Sequence, residues 1–189
     1  MLELKLGNTA LRLDFSFFAV LSVFFFFDTE GIGVSALCAC FCHEMGHLTV
    51  MTAAGAAVRE ITLYGAGVRI NAELSKLSYA ARASVYAAGC VVNLVLYAVS
   101  CICGNVVFAL VNLALAVFNL LPLGELDGAQ LIKLLLQRYL PHMADRISGV
   151  LGSAAAVVCV GVLVAAGGNI GITFAVCLGY FILLMSRKT

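Results

Sequence analysis

Long apolar runs separated by short charged stretches dominate the chain. Residues 11–27, 31–55, 79–103, 105–121, 146–166 and 170–185 are each near the length a helix needs to span a bilayer, ~20 residues. Six such runs predict six transmembrane helices. Gly89 and Asn93 interrupt the third run, and Pro122, Gly124 and Gly128 break the chain after the fourth. Apolar sequence resumes over residues 129–140, too short to span and read as a helix on or in the interface. Residues 1–10 form a short polar start. Residues 56–78 have a different pattern, with Arg59, Glu60, Arg69, Glu73 and Lys76 among apolar positions. There, Ile61-Thr62-Leu63-Tyr64 and Val68-Arg69-Ile70 flank Gly65-Ala66-Gly67, which predicts two short strands about a glycine turn. The expected fold is therefore all-α and polytopic. It is a single domain over residues 1–189, with six transmembrane helices and a β-hairpin-like connector at the membrane edge between the second and third.

Composition supports this reading. Of 189 residues, 63% are hydrophobic and 11% charged, with a mean hydropathy of +1.08. A soluble domain is about 45–50% apolar and about 25% charged. The net charge of +1 argues against nucleic acid as a partner and leaves the lipid bilayer as the surroundings. The first ten residues are mixed and no small-residue cleavage site follows the first run, so no cleavable signal peptide is expected. With six spans, all eleven Lys and Arg residues fall on one side and the opposite loops carry only Asp28 and Glu30. The positive-inside rule then places both termini in the cytoplasm of a bacterial cell. The eight cysteines all lie in apolar runs, make no C-x-x-C pair, and are read as small buried thiols packed between helices.

One stretch carries chemistry: His43-Glu44-Met45-Gly46-His47, inside the second run. Histidines at i and i+4 share one face of a helix, so both imidazoles can close on one Zn²⁺ with the glutamate beside the water to be activated. Only three histidines occur in the chain, and two are here. Ionisable residues inside a membrane-length run are costly and mark function. His43 lies about twelve residues into its helix, about 18 Å at the usual rise, and Asp127 follows the break after the fourth run at similar depth. Two histidines and one carboxylate leave a zinc position open, the catalytic arrangement. Glu125 is a rival carboxylate, and Cys42 adjoins the motif. Residues 61–70 can pair with an extended substrate strand, which directs attention to Tyr64, Gly65 and Gly67 at the turn.

These motifs resemble the site-2 protease family of intramembrane zinc metalloproteases. The resemblance rests on H-E-M-G-H, on Asn119-Leu120-Leu121-Pro122 followed by Leu126-Asp127-Gly128, and on Ala88-Gly89-Cys90-Val91-Val92-Asn93. The compact plan is similar to the sporulation branch, which processes a sigma-factor precursor. Within these 189 residues there is neither the CBS segment of that branch nor a PDZ domain, and Cys90 stands where the family usually has proline. The resemblance implies His43, His47 and Asp127 as zinc ligands, Glu44 as general base, and Asn93 as a donor to the substrate strand or oxyanion. It implies a membrane-associated or single-pass protein substrate cut on the cytoplasmic side, under the control of a membrane-protein inhibitor or regulator. Two other readings are an inactive protein that only binds membrane helices, and a zinc transporter. The transporter would need several ligand sets along a path, and the sequence offers one cluster plus His142.

Overall fold

The computed structural model describes residues 2–6, 9–28, 31–65 and 67–166. The chain divides into two units, Met1–Asn119 and Leu120–Thr189. The sixth apolar run, residues 170–185, lies outside the described residues.

The first unit opens with strands rather than the polar start and helix expected there. β1 (Leu2–Leu6) and β2 (Thr9–Leu13) form an antiparallel hairpin, and only then does α1 (Phe15–Phe27) begin. Asp14 separates β2 from α1 and caps the helix, accepting a hydrogen bond from the Ser16 N–H at 2.8 Å. Residues 11–13 are thus strand, and α1 is 13 residues, about 20 Å at ~1.5 Å per residue. That is short of the ~30 Å hydrocarbon core. After α2 (Ile32–Ala53) come β3 (Ala57–Tyr64) and β4 (Gly67–Glu73), the two strands read from the glycine turn. They are not an isolated hairpin: β2 pairs with β3 in parallel, giving a four-stranded sheet in the order β1-β2-β3-β4. The fold is therefore not all-α.

The sheet has two unlike faces. Register places Leu2, Leu4, Leu11, Leu13, Ile61, Leu63, Val68 and Ile70 on one side. Glu3, Arg12, Glu60, Thr62, Arg69 and Asn71 occupy the other. On that polar side Arg12 lies 2.8 Å from Glu60 and 3.6 Å from Glu3, and Thr62 donates to Glu60 at 2.8 Å. Part-exposed ion pairs are worth about 0–1 kcal/mol each, so they do not hold the register. The alternation does: a slip of one residue would exchange every leucine with a charge. Beyond β4, Lys76 and Arg59 both reach the Glu73 carboxylate and hold it below the ordinary carboxylate range.

Three helices make the core of this unit. α2, α3 (Tyr79–Ile102) and α4 (Val106–Asn119) pack on one another. α2 and α3 are long and apolar enough to cross a membrane; α4 is apolar but has 14 residues. Gly89 and Asn93 do not interrupt α3, which is continuous. Ser78 caps it, accepting from the Ala81 N–H, and Gly104 ends it in the left-handed region at φ 75°. Small residues line the contacts: Ala39 and Gly46 on α2, Ala88 on α3, Ala109 and Ala116 on α4 are all buried. Such residues let helix backbones approach closely where lipid removes the usual hydrophobic drive. The cysteines mostly play no part in this. Cys38, Cys40, Cys101 and Cys103 are exposed and Cys42 is half-buried, so among the described cysteines only Cys90 is packed inside.

The second unit begins with a tight turn over residues 120–126, followed by α5 (Asp127–Tyr139) and α6 (Ala144–Ala166). α5 corresponds to the interfacial segment expected at residues 129–140. Leu123, Ala129, Leu134 and Ala144 are its buried apolar residues, and Lys133 pairs with Asp145 at 2.7 Å.

The α2–α3 approach can be tested at Gly46. A Cβ there would sit 2.8 Å from Val92 Cγ2 and 3.1 Å from the Ala88 carbonyl oxygen. Gly46→Val should lower the denaturation midpoint in detergent, with a loss of about 1–3 kcal/mol typical of overpacking. Gly149→Ala, whose Cβ would meet nothing within 4 Å on α6, should instead be neutral or stabilise by about 0.5–1 kcal/mol.

Candidate metal centre

The helical spacing of His43 and His47 places both rings on the buried side of α2, each 6% exposed. Their Nε2 atoms lie 3.1 Å apart and the ring planes meet at 75°. Each ring is held from behind through Nδ1. His47 Nδ1 lies 2.7 Å from the Val85 carbonyl oxygen, and His43 Nδ1 lies against Asn93 Oδ1. Both partners are on α3.

A carbonyl oxygen can only accept, so His47 Nδ1 carries a proton, and in the neutral ring Nε2 holds the lone pair. Asn93 gives His43 the same tautomer, because its Nδ2 donates elsewhere, to the Ala39 carbonyl at 3.3 Å among others. The two rings turn their Nε2 atoms towards each other at 3.1 Å. With Nδ1 protonated and Nε2 bare, the pair is suited to sharing a cation.

Gly89 lets the two rings pack directly on α3. A Cβ on Gly89 would overlap His43 Nε2 and Cε1 and His47 Nε2. Val85, Gly89 and Asn93 are spaced four apart, so one stripe of α3 supplies a carbonyl, a gap and an amide to the two histidines. The sequence reading missed Val85 and took Gly89 for a helix interruption. The four-residue spacing of these three positions was the available clue.

Glu44 follows His43 on the next position of α2 and is half-buried. Asn93 is fully buried at 0% exposure, behind His43. Tyr64, Gly65 and Gly67 sit at the β3–β4 turn. The Gly65 N–H donates to Ser16 Oγ at 3.0 Å, and Gly67 has φ 122°, which favours glycine. Gly65 faces α1, where a Cβ would meet Ser16 and Val20 at 3.1–3.3 Å, and the Tyr64 ring lies under Arg69 of β4.

In the second unit Asp127 is the first residue of α5, half-buried, where a carboxylate suits the positive end of the helix dipole. Its turn is tight. Gly128 admits no side chain, since a Cβ would run into the Leu120 carbonyl, and Gly124 has φ 54°. Glu125 is exposed in the same turn. His43 and His47 thus come together within the first unit, and Asp127 opens α5 of the second.

Comparison with known proteins agrees with this chemistry. The model of the family described as Peptidase family M50 matches residues 105–164, which include the Asn119–Gly128 motif. The solved structure titled Site-2 Protease from Methanocaldococcus jannaschii has the same fold. The match has a TM-score of 0.69, covers 100% of this chain and 95% of that one, and shows 20% sequence identity. No curated protein sequence matches at a significant level. Neither likeness bears on sporulation.

Gly89→Ala should keep α3 helical, alanine being the better helix former, yet weaken zinc binding by at least ~10-fold through displacement of a liganding ring. Elemental analysis of the purified variant alongside its circular dichroism tests this. Full zinc occupancy with native helicity would show that the gap over the histidines is not required.

Proposed function

We propose that this chain, which belongs to the site-2 protease family of metalloendopeptidases, hydrolyses a peptide bond in or near a transmembrane segment of a membrane-associated or single-pass protein. The observation that carries the reading is the approach of His43 Nε2 and His47 Nε2 to 3.1 Å, next to Glu44 in a helix long enough to cross a membrane. His43 and His47 are two ligands and Asp127 the third, a set that suits Zn²⁺ with one position left open. When bound, the ion supplies Lewis acidity, bringing the pKa of water towards neutrality and polarising the scissile carbonyl.

The rest of the chemistry falls to the protein. Glu44 takes a proton from the attacking water on a carboxylate oxygen and returns it to the leaving nitrogen. The burial of both histidines keeps bulk water from competing for their Nε2 atoms. The Nδ1 bonds to Asn93 and the Val85 carbonyl keep each imidazole oriented, with Nε2 as the nitrogen turned to the site.

A helical substrate hides its peptide bonds, and unwinding a turn in lipid strands groups that cost several kcal/mol each unless partners exist. β4 offers such partners. β3 already pairs with β2 and β4, so within residues 61–70 it is β4, at the end of the strand order, that among the described residues has a side available to an added strand. The Tyr64, Gly65 and Gly67 turn would then help seat that strand. The one-sided distribution of Lys and Arg supports cleavage on the cytoplasmic face, with both termini on that side.

Purified protein incubated with candidate single-pass substrates tests the reading. Cleavage should be lost with a chelator and restored by zinc, and mass spectrometry should map the product termini to the cytoplasmic side of the span. Glu44→Gln should retain zinc and lower turnover by ~10²–10⁴-fold, the usual contribution of a general base. An unchanged rate in Glu44→Gln, or cleavage indifferent to metal removal, would overturn the assignment.

A further inference from the structure

Behind His43 the hydrogen bonds form a one-way relay through three helices. Asn93 on α3 has two N–H groups. One donates to the Ala39 carbonyl of α2 at 3.3 Å and the other to Asn112 Oδ1 of α4 at 2.8 Å. Asn112 in turn donates from Nδ2 to the Phe108 carbonyl at 2.8 Å. Both asparagines are 0% exposed, and they are among the largest fully buried side chains of the described residues.

The direction of this relay has no freedom. The Phe108 carbonyl can only accept, so Asn112 must turn Nδ2 towards it and Oδ1 towards Asn93. Asn93 must then point Nδ2 at Asn112 and at Ala39, which leaves Oδ1 facing His43 Nδ1. His43 must then carry a proton on Nδ1, which leaves Nε2 as the nitrogen able to take a cation.

The geometry points to Asn112 as a positioning residue for the metal centre. Acting through Asn93, it fixes which nitrogen of His43 can bind a cation. Asn112 does not touch His43 itself. The inference rests on the proposed zinc centre and adds to it a residue on α4, seven positions before Asn119 and outside the motifs that mark the family resemblance.

The ordinary alternative is that Asn112 is an interhelical polar contact, worth about 0.6 kcal/mol on average in membrane proteins. The two readings predict opposite rankings of two variants. Asn112→Leu is close in size and suits an apolar helix, but it removes the acceptor that holds the Asn93 amide. Asn93 is then held only by its longer bond to the Ala39 carbonyl, 3.3 Å against 2.8 Å to Asn112, and a flip that gives up that weaker bond offers Nδ2 to His43 Nδ1 and drives the proton to Nε2. Asn112→Asp keeps the acceptor. Protonated, it also keeps a donor for the Phe108 carbonyl, although a carboxyl group is the worse residue for packing in lipid. A positioning role therefore ranks Asp above Leu for zinc, and a packing role ranks Leu above Asp for stability without any special loss of zinc.

The experiment measures zinc affinity by competition with a chromophoric chelator on full-length purified protein, with the thermal midpoint of the metal-free form recorded in parallel. The expected result is ~10–100-fold weaker zinc binding in Asn112→Leu, the usual effect of disturbing a ligand's supporting bond. Binding within a few-fold of wild type is expected in Asn112→Asp. The cobalt-loaded protein supplies a second readout, since loss of one imidazole changes the visible ligand-field spectrum in Asn112→Leu and not in Asn112→Asp. Wild-type zinc affinity in Asn112→Leu, or equal losses in both variants tracking their thermal midpoints, would overturn the inference while leaving the zinc centre intact. Failure of the wild-type protein to bind zinc would instead bring down the reading beneath it.

Discussion

A backbone carbonyl can accept a hydrogen bond and cannot give one. That asymmetry governs the centre of this protein. In water a histidine tautomer is chosen loosely, because solvent can serve either nitrogen. In the dry space between α2, α3 and α4 the choice is made by fixed acceptors: the Val85 carbonyl for His47, and the Asn93 amide oxygen for His43. Each unmet polar group in such surroundings costs about 1–3 kcal/mol. The tautomers protonated on Nδ1 are therefore favoured before any ion arrives, and the two Nε2 atoms are turned towards each other.

The same geometry depends on what is missing from the helices. Gly46 lets α2 come close to α3 at Ala88 and Val92, and Gly89 lets both imidazoles lie against α3. Small residues at these positions serve two ends. They provide dispersion contacts between helices where lipid offers no hydrophobic drive, and they admit the two rings between the helices. A bulky apolar residue at either point would satisfy the hydropathy of the run and remove the site.

Sequence made the donors legible and left their support obscure. H-E-M-G-H announces itself because ionisable residues are rare in an apolar run, and Asp127 follows a proline and glycine break that hydropathy alone detects. The β3–β4 turn was also readable, from Gly65 and Gly67 between β-branched residues. The β1–β2 hairpin was not. Leu11 to Leu13 merge without a break in hydropathy into Phe15 to Phe27, and the strand that completes their pairing lies about fifty positions later, beyond any local window. The cysteines misled for a related reason. In a chain of this composition apolarity does not separate the interior from the lipid-facing surface, so Cys38, Cys40, Cys101 and Cys103 read as buried and are exposed. Asn112 escaped notice because an asparagine in an apolar helix reveals neither its partner nor its orientation.

The parallel pairing of β2 with β3 has a consequence for synthesis. Ala10 meets Glu60 and Leu13 meets Leu63, with two helices threaded between. At about 5–20 residues per second, the ribosome emits residues 9–13 roughly 3–10 seconds before their partners exist. During that interval the hairpin of β1 and β2 holds only half of its final neighbours, and the open side of β2 is an unpaired strand edge of the kind that recruits stray chains. The sheet can close only when both α1 and α2 have been emitted. Its completion therefore marks, in time, the moment at which the helix bearing His43 and His47 has been delivered.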